Sequence, residues 1–99
     1  MKVNFYATFR NTTGVRSIDV PVENNDTVEK IIQKVFLLFP QLIPHWCDSE
    51  GKFHAHLTII LNKVDITSLE NGLQSQVTFE DELDFVPPVG GGSGLPGES

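Results

Sequence analysis

Two consecutive prolines followed by a run of glycines, Pro87-Pro88-Val89-Gly90-Gly91-Gly92, close the foldable part of this 99-residue chain. Proline fixes φ and donates no backbone hydrogen bond, and glycine brings no side chain to bury, so neither propagates a strand or a helix. The segment beyond, Ser93-Gly94-Leu95-Pro96-Gly97-Glu98-Ser99, is short and polar and has too little apolar surface to fold. The core must come from about 90 residues, enough for one small domain. The expected division is a folded body over 1–89 and a glycine-rich tail over 90–99.

Composition narrows the function classes. Hydrophobic residues make up 39% of the chain and seven are phenylalanine, a globular content. The net charge of −6 comes with no basic stripe, which argues against a nucleic-acid binder. Such an acidic surface favours a basic protein partner instead. A single cysteine, Cys47, allows no internal disulfide and points to a reducing, cytoplasmic setting. The N-terminus enters a strand pattern with no signal peptide, and no apolar run approaches the roughly 20 residues of a membrane helix.

Residues 2–9 alternate with period two and read as a strand, followed by a turn over Asn11-Thr12-Thr13-Gly14. A second strand over 17–23 completes a hairpin, and Pro21 places it at a sheet edge. Asp26 or Thr27 caps a helix, with Glu29 at capping-box distance from Asp26. Val28, Ile31, Ile32, Val35, Leu38 and Phe39 form its apolar stripe, and Pro40 ends it. Leu42, Ile43 and Trp46 anchor either a short second helix or a packed loop, before a turn at 48–51. The apolar run 57–61 reads as a strand buried on both faces. A tight connection at Asn62-Lys63 leads to a short edge strand over 64–66. An irregular stretch with Leu69 and Leu73 buried, an extended piece at 77–79 and a turn at Glu80-Asp81 precede the last strand, which carries Leu83, Phe85 and Val86. A helix on one face of a mixed sheet is an α+β two-layer domain.

The ending Phe85-Val86-Pro87-Pro88-Val89-Gly90-Gly91-Gly92, on a chain of this element order, resembles the ubiquitin-like β-grasp sulfur carriers and modifiers. These include the small subunit of molybdopterin synthase, the small archaeal modifier proteins and ThiS-like carriers. Members end in an aromatic or aliphatic residue, Pro-Pro-Val, a small residue and Gly-Gly. Here Gly90 stands at the small residue and Gly91-Gly92 at the diglycine. The opening Lys2–Arg10, the helix start Asp26-Thr27-Val28-Glu29, Ile60-Leu61-Asn62-Lys63 and Glu80-Asp81-Glu82-Leu83 add weaker matches over residues 1–92. The resemblance implies a β-grasp fold, with a mixed sheet of four to five strands and one main helix on one face. It also implies that the chain is not an enzyme and binds no cofactor. A partner activating enzyme would use ATP to adenylate the terminal glycine. The product would be a thiocarboxylate for molybdopterin or tRNA thiolation, delivered in the first case to the molybdopterin synthase large subunit, or an isopeptide bond to a target lysine.

The molybdopterin-type members end at the diglycine, whereas seven residues follow it here. Either Ser93–Ser99 is cut off at the Gly92–Ser93 junction, for which the resemblance implies a JAB/MPN-type metalloprotease, or the tail is inert and the domain is a non-covalent interaction module. Pro87, Pro88, Val89 and Gly90 form the expected stem of the tail. Glu80, Asp81 and Glu82, with Phe85, Arg10 and Lys63, are candidate docking residues; a solvated acidic turn explains the carboxylates as well. His45, Cys47, His54 and His56 carry metal-ligand chemistry, but no second cysteine or paired carboxylate completes a set of four ligands with ordinary spacing, so no metal is expected. A nucleophilic Cys47 would need an orienting partner that the sequence does not supply.

Overall fold

The alternation of Val3 and Phe5 with Lys2 and Asn4 fixes which face of the sheet is buried. The structure is a computed structural model and describes residues 1–53 and 57–87. Its elements are β1 (Lys2–Phe5), α1 (Thr8–Thr13), β2 (Ser17–Asp19), α2 (Val28–Leu38), a 3-10 turn at Pro40–Leu42, α3 (Ile43–Trp46), β3 (Thr58–Leu61), β4 (Val64–Asp65), 3-10 turns at Ile66–Ser68 and Gly72–Gln74, and β5 (Glu82–Val86). They form a five-stranded sheet in the order β2-β1-β5-β3-β4. The first and last strands run parallel at its centre, and all other pairs are antiparallel. This is the ubiquitin-like β-grasp architecture.

Val28, Ile31, Ile32 and Val35 of α2 are fully buried, in one core with Val3 and Phe5 of β1, Ile59 and Leu61 of β3, and Leu83 and Phe85 of β5. Each such side chain contributes about 1.5–3 kcal/mol. The stripe stops there: Leu38 is exposed, because the helix ends at it and Phe39 turns inward against Phe5. One face only of β3 is buried, through Ile59 and Leu61; Thr58 and Ile60 are partly exposed, since the helices cover a single side of the sheet.

Four further expectations are corrected. The first strand stops at Phe5 rather than Phe9, because Ala7 takes a left-handed φ of 52° and the chain coils into α1. That coil swings Phe9 under the sheet, edge-on to Trp46 with ring centroids 5.4 Å apart. The turn at 11–14 is therefore the end of a helix, closed by Gly14 with φ 79° and its N–H on the Arg10 carbonyl. β2 ends at Asp19, although it does lie at the sheet edge. Residues 77–79 are not a strand; Phe79 is exposed in a turn that the Asp81 N–H closes onto the Thr78 carbonyl.

The helix start also sorts itself out. Thr27 is the cap and accepts from the Lys30 N–H at 3.3 Å. Asp26 is buried and does a different job: one carboxylate oxygen accepts from the Glu23 N–H at 3.0 Å and from Lys34 Nζ at 2.7 Å. Lys34 Nζ also donates to the Pro21 carbonyl at 2.8 Å, so the pair staples the segment after β2 to α2. Glu29 reaches Gln74 instead of the cap. The Lys34 hydrogen bond, then the Glu23 N–H, hold the Asp26 carboxyl below the usual carboxylate range. A depressed folded pKa means stability that is present above the unfolded value and lost as pH falls through the folded one. Urea unfolding from pH 7 down to pH 2 is expected to show wild-type stability dropping below about pH 4. Asp26→Asn is expected to be less stable at pH 7 and to lose less on acidification.

Candidate functional site

The candidate site begins where β5 leaves the sheet. Strand alternation turns Leu83 and Phe85 into the core and Glu82, Asp84 and Val86 to the other face of the sheet, where Asp84 is itself buried and Glu82 and Val86 are partly exposed. Phe85 is fully buried, with its ring stacked on Trp46 at 4.2 Å and 25° and on Phe5 at 6.3 Å and 19°. Trp46 in turn meets Phe9 and Phe36. The aromatic stack roots the strand two residues before Pro87.

Both neighbours of β5 give out at this point. On one side the last rung is the Tyr6 N–H on the Phe85 carbonyl at 3.2 Å, after which Ala7 turns the chain away. On the other side β3 pairs Thr58 with Val86. Pro87 has no N–H to extend the ladder, so β5 ends there in chemical terms as well. The expected activation residues Gly91 and Gly92, the stem residues Pro88, Val89 and Gly90, and the junction residue Ser93 lie outside the described residues.

The expected docking residues do not form one group. Phe85 is buried and anchors the strand from inside, so its ring is not offered to a partner. Arg10, exposed on α1, lies at the exit end of β5 beside Tyr6. Glu80, Asp81 and Lys63 lie at the opposite end, where β5 begins and the β3–β4 connection turns. Five strand residues at about 3.3 Å each, roughly 16 Å, separate the two poles.

Most of the acidic cluster is also engaged within the domain. Asp81 accepts from the Thr78 N–H at 2.7 Å and from Asn62 Nδ2 at 2.9 Å. Asn62, at φ 52°, accepts from the Glu82 N–H in return. Glu82 and Asp84 both accept from the Asn4 side-chain amide. Of these carboxylates Glu80 alone is without a side-chain acceptor bond among the described residues. The Asn4 bridge was not legible beforehand, because it depends on the parallel register of two strands 80 residues apart. Trp46 was expected as an anchor of its own segment, and it does close the short helix α3; that its ring also stacks on Phe85 of the last strand was hidden, because the two lie 39 residues apart in sequence.

Among the described residues no group of three or more histidine, cysteine, aspartate or glutamate side chains is placed to hold a metal ion. His54 and His56 lie outside them. Cys47 is buried and bridges to Phe53, and burial, then the nearby Asp48 charge, push its thiol pKa up. The thiolate is the nucleophile, so this environment disfavours reactivity. A chromogenic disulfide reagent is expected to label native Cys47 far more slowly than the urea-unfolded chain. Equal rates would show that the thiol is accessible. Among the described residues no helix is long and apolar enough to cross a membrane.

Comparison with known proteins places this arrangement. Small archaeal modifier protein 3 of Haloferax volcanii is 25% identical over 92 residues, covering 93% of this chain and 98% of that one. The crystal structure of small archaeal modifier protein 1 from the same organism superposes with a TM-score of 0.83 at 24% identity, covering 93% of this chain and 98% of that one. A chain of the Amycolatopsis orientalis BexX/CysO complex matches with a TM-score of 0.72 at 27% identity, covering 92% and 98%. The model of the ThiS family matches residues 3–92, nearly the whole chain and the glycine run with it. The chain therefore belongs to the ThiS family, on the ubiquitin-like fold shared by small sulfur carriers and protein modifiers.

Proposed function

We propose that this protein is activated at the carboxylate of Gly92 after residues 93–99 are removed at the Gly92–Ser93 junction. The observation that carries the reading is the family match. It runs through Gly92 and stops there, on a fold whose central last strand ends at Val86. An activating enzyme joins the Gly92 carboxylate to the α-phosphate of ATP and releases pyrophosphate. The resulting acyl adenylate is an acyl electrophile with AMP as its leaving group. Attack by the terminal sulfur of a partner protein's persulfide expels AMP and leaves an acyl disulfide; a second thiol then attacks the partner's sulfur of that disulfide, forming a disulfide with it and releasing the Gly92 thiocarboxylate for molybdopterin or tRNA thiolation. Attack by a lysine amine gives an isopeptide bond to a target protein.

In either course the chain is the substrate and carrier, and the catalytic groups and the ATP site belong to its partner. That division suits a domain in which Cys47 is buried and Asp81 and Asp84 accept from the Asn62 and Asn4 side chains. A JAB/MPN-type metalloprotease suits the removal of the extension. The relative solved within the BexX/CysO complex supports work through protein partners in general. The seven residues beyond Gly92 favour one alternative, a non-covalent interaction module with an inert tail.

The deciding experiment is the intact mass of the protein recovered from its native cells. A chain ending at Gly92 supports processing, and the same chain with one oxygen replaced by sulfur supports sulfur carriage. A mass that retains residues 93–99 in every molecule overturns the proposal in favour of the interaction module.

A further inference from the structure

On a chain with 13 acidic and 7 basic residues, one cleft is lined by three cations and no carboxylate. It lies against β1 and the start of β2, has a volume of about 280 Å³, and carries Lys2, Asn4, Tyr6, Arg10, Arg16 and Ser17 on its walls. Arg10 and Arg16 are exposed, and among the described residues neither forms a salt bridge. Lys2 is the weaker member, since it sits opposite Asp19 on β2 and Glu82 on β5. Tyr6 is 43% exposed and supplies a flat ring beside the guanidinium groups. The nearest carboxylates on the same sheet face, Glu82 and Asp84, are turned onto the Asn4 amide.

The cleft adjoins the exit of the last strand. Tyr6 donates its N–H to the Phe85 carbonyl, so the cleft is one strand spacing, about 4.8 Å, from the last residue of β5 that bonds to the β1 side of the sheet. A partner working on the chain beyond Pro87 comes up against this surface. A guanidinium presents a planar fork that matches a carboxylate with two parallel hydrogen bonds, and two of them with a phenol select for anions. We propose that this cleft docks an acidic segment of the partner protein, with Arg10 and Arg16 each taking a carboxylate. The sign is opposite to the one that the net charge suggests: next to the tail this chain supplies cations and the partner supplies anions. The inference rests on activation at the tail only for who the partner is; the cleft's preference for acidic peptide is independent of it.

The test is an NMR titration of the 15N-labelled full chain with a tetraglutamate peptide, a tetralysine peptide and inorganic phosphate. Tetraglutamate is expected to shift the amides of Asn4, Tyr6, Arg10, Arg16 and Ser17. The shifts are expected to weaken as salt shortens the screening length and to vanish in Arg10→Gln/Arg16→Gln, whose remaining spectrum stays native. Absence of these shifts overturns the proposal, and so does phosphate binding as tightly as the peptide, which would make the cleft a small-anion site. In a reconstituted adenylation assay the double variant is expected to raise KM for this chain roughly tenfold or more at unchanged kcat. An unchanged KM overturns the docking role. Wild-type chain that is never adenylated would defeat the proposed activation and leave the titration result standing.

Discussion

Gly92→Ala, in a chain ending at residue 92, is expected to leave thermal stability unchanged and to lower ATP-dependent activation by a factor on the order of 100. The stability half follows from residue type. The core closes with Phe85, Trp46 and Phe5, and Gly92 has no side chain to lose from it; a substitution that removes no buried contact usually changes stability by less than about 0.5 kcal/mol. The activity half follows from shape. A strand without Cβ atoms fits a channel too narrow for any side chain and allows another backbone to come close. One methyl at the reacting residue displaces the carboxylate from the nucleotide phosphate, and misplacement of that order is costly for a positioned reaction. Pyrophosphate exchange with the activating enzyme measures the loss, and calorimetry measures the stability. Activity within a few-fold of wild type would remove Gly92 from the reaction. A large fall in Tm would show that the glycine is structural. Gly94→Ala in the full chain is the control: it lies beyond the proposed junction and is expected to leave activation of the processed chain intact.

The frame of this fold was legible because it is written in local patterns. Period-two runs gave the strands, the 28–35 stripe gave the helix that covers them, and Asn62-Lys63 gave the tight hairpin, where both residues take positive φ. What failed were places where a distant side chain overrode the local pattern. Residues 6–9 alternate like a strand, yet burial of Phe9 against Trp46 repays the coil into α1, and nothing near Phe9 in sequence announces Trp46. The acidic run 80–84 looked like a free electrostatic surface. Its solvation is instead set by Asn4 and Asn62, which reach it only through strand pairing. The cleft with Arg10 and Arg16 was hidden for the same reason, since α1 exists only because the strand breaks at Ala7. The motif at the end of the chain was the reverse case: plain in the sequence as Pro-Pro-Val-Gly-Gly-Gly, because it is read from residue identity and order alone.

Trp46→Ala is expected to destabilise the domain by about 3–5 kcal/mol, the cost of emptying a buried aromatic site. Small domains have only about 5–15 kcal/mol in total, so a large share of the stability goes with this side chain. The melting temperature is expected to fall by more than about 10 °C. The reason is connectivity. Trp46 is fully buried and its ring touches Phe5 of β1, Phe9 of α1, Phe36 of α2 and Phe85 of β5, so one cavity loosens four elements. Trp46→Phe is expected to cost much less. It keeps a ring against Phe85, and it removes an indole N–H that meets no acceptor among the described residues, a group whose burial is itself unfavourable by about 1–3 kcal/mol. Urea unfolding of the two variants separates the contributions, and equal losses would mean that ring volume is not what Trp46 supplies. The consequence for function is specific. Because Phe85 stacks on Trp46 two residues before the chain leaves the sheet, the alanine variant is expected to weaken hydrogen-exchange protection at Tyr6, whose N–H holds the last rung of β5, more than at Val3 in the middle of β1. Uniform loss of protection along β1 would show that the stack supports the whole sheet and has no particular hold on the strand that carries the tail.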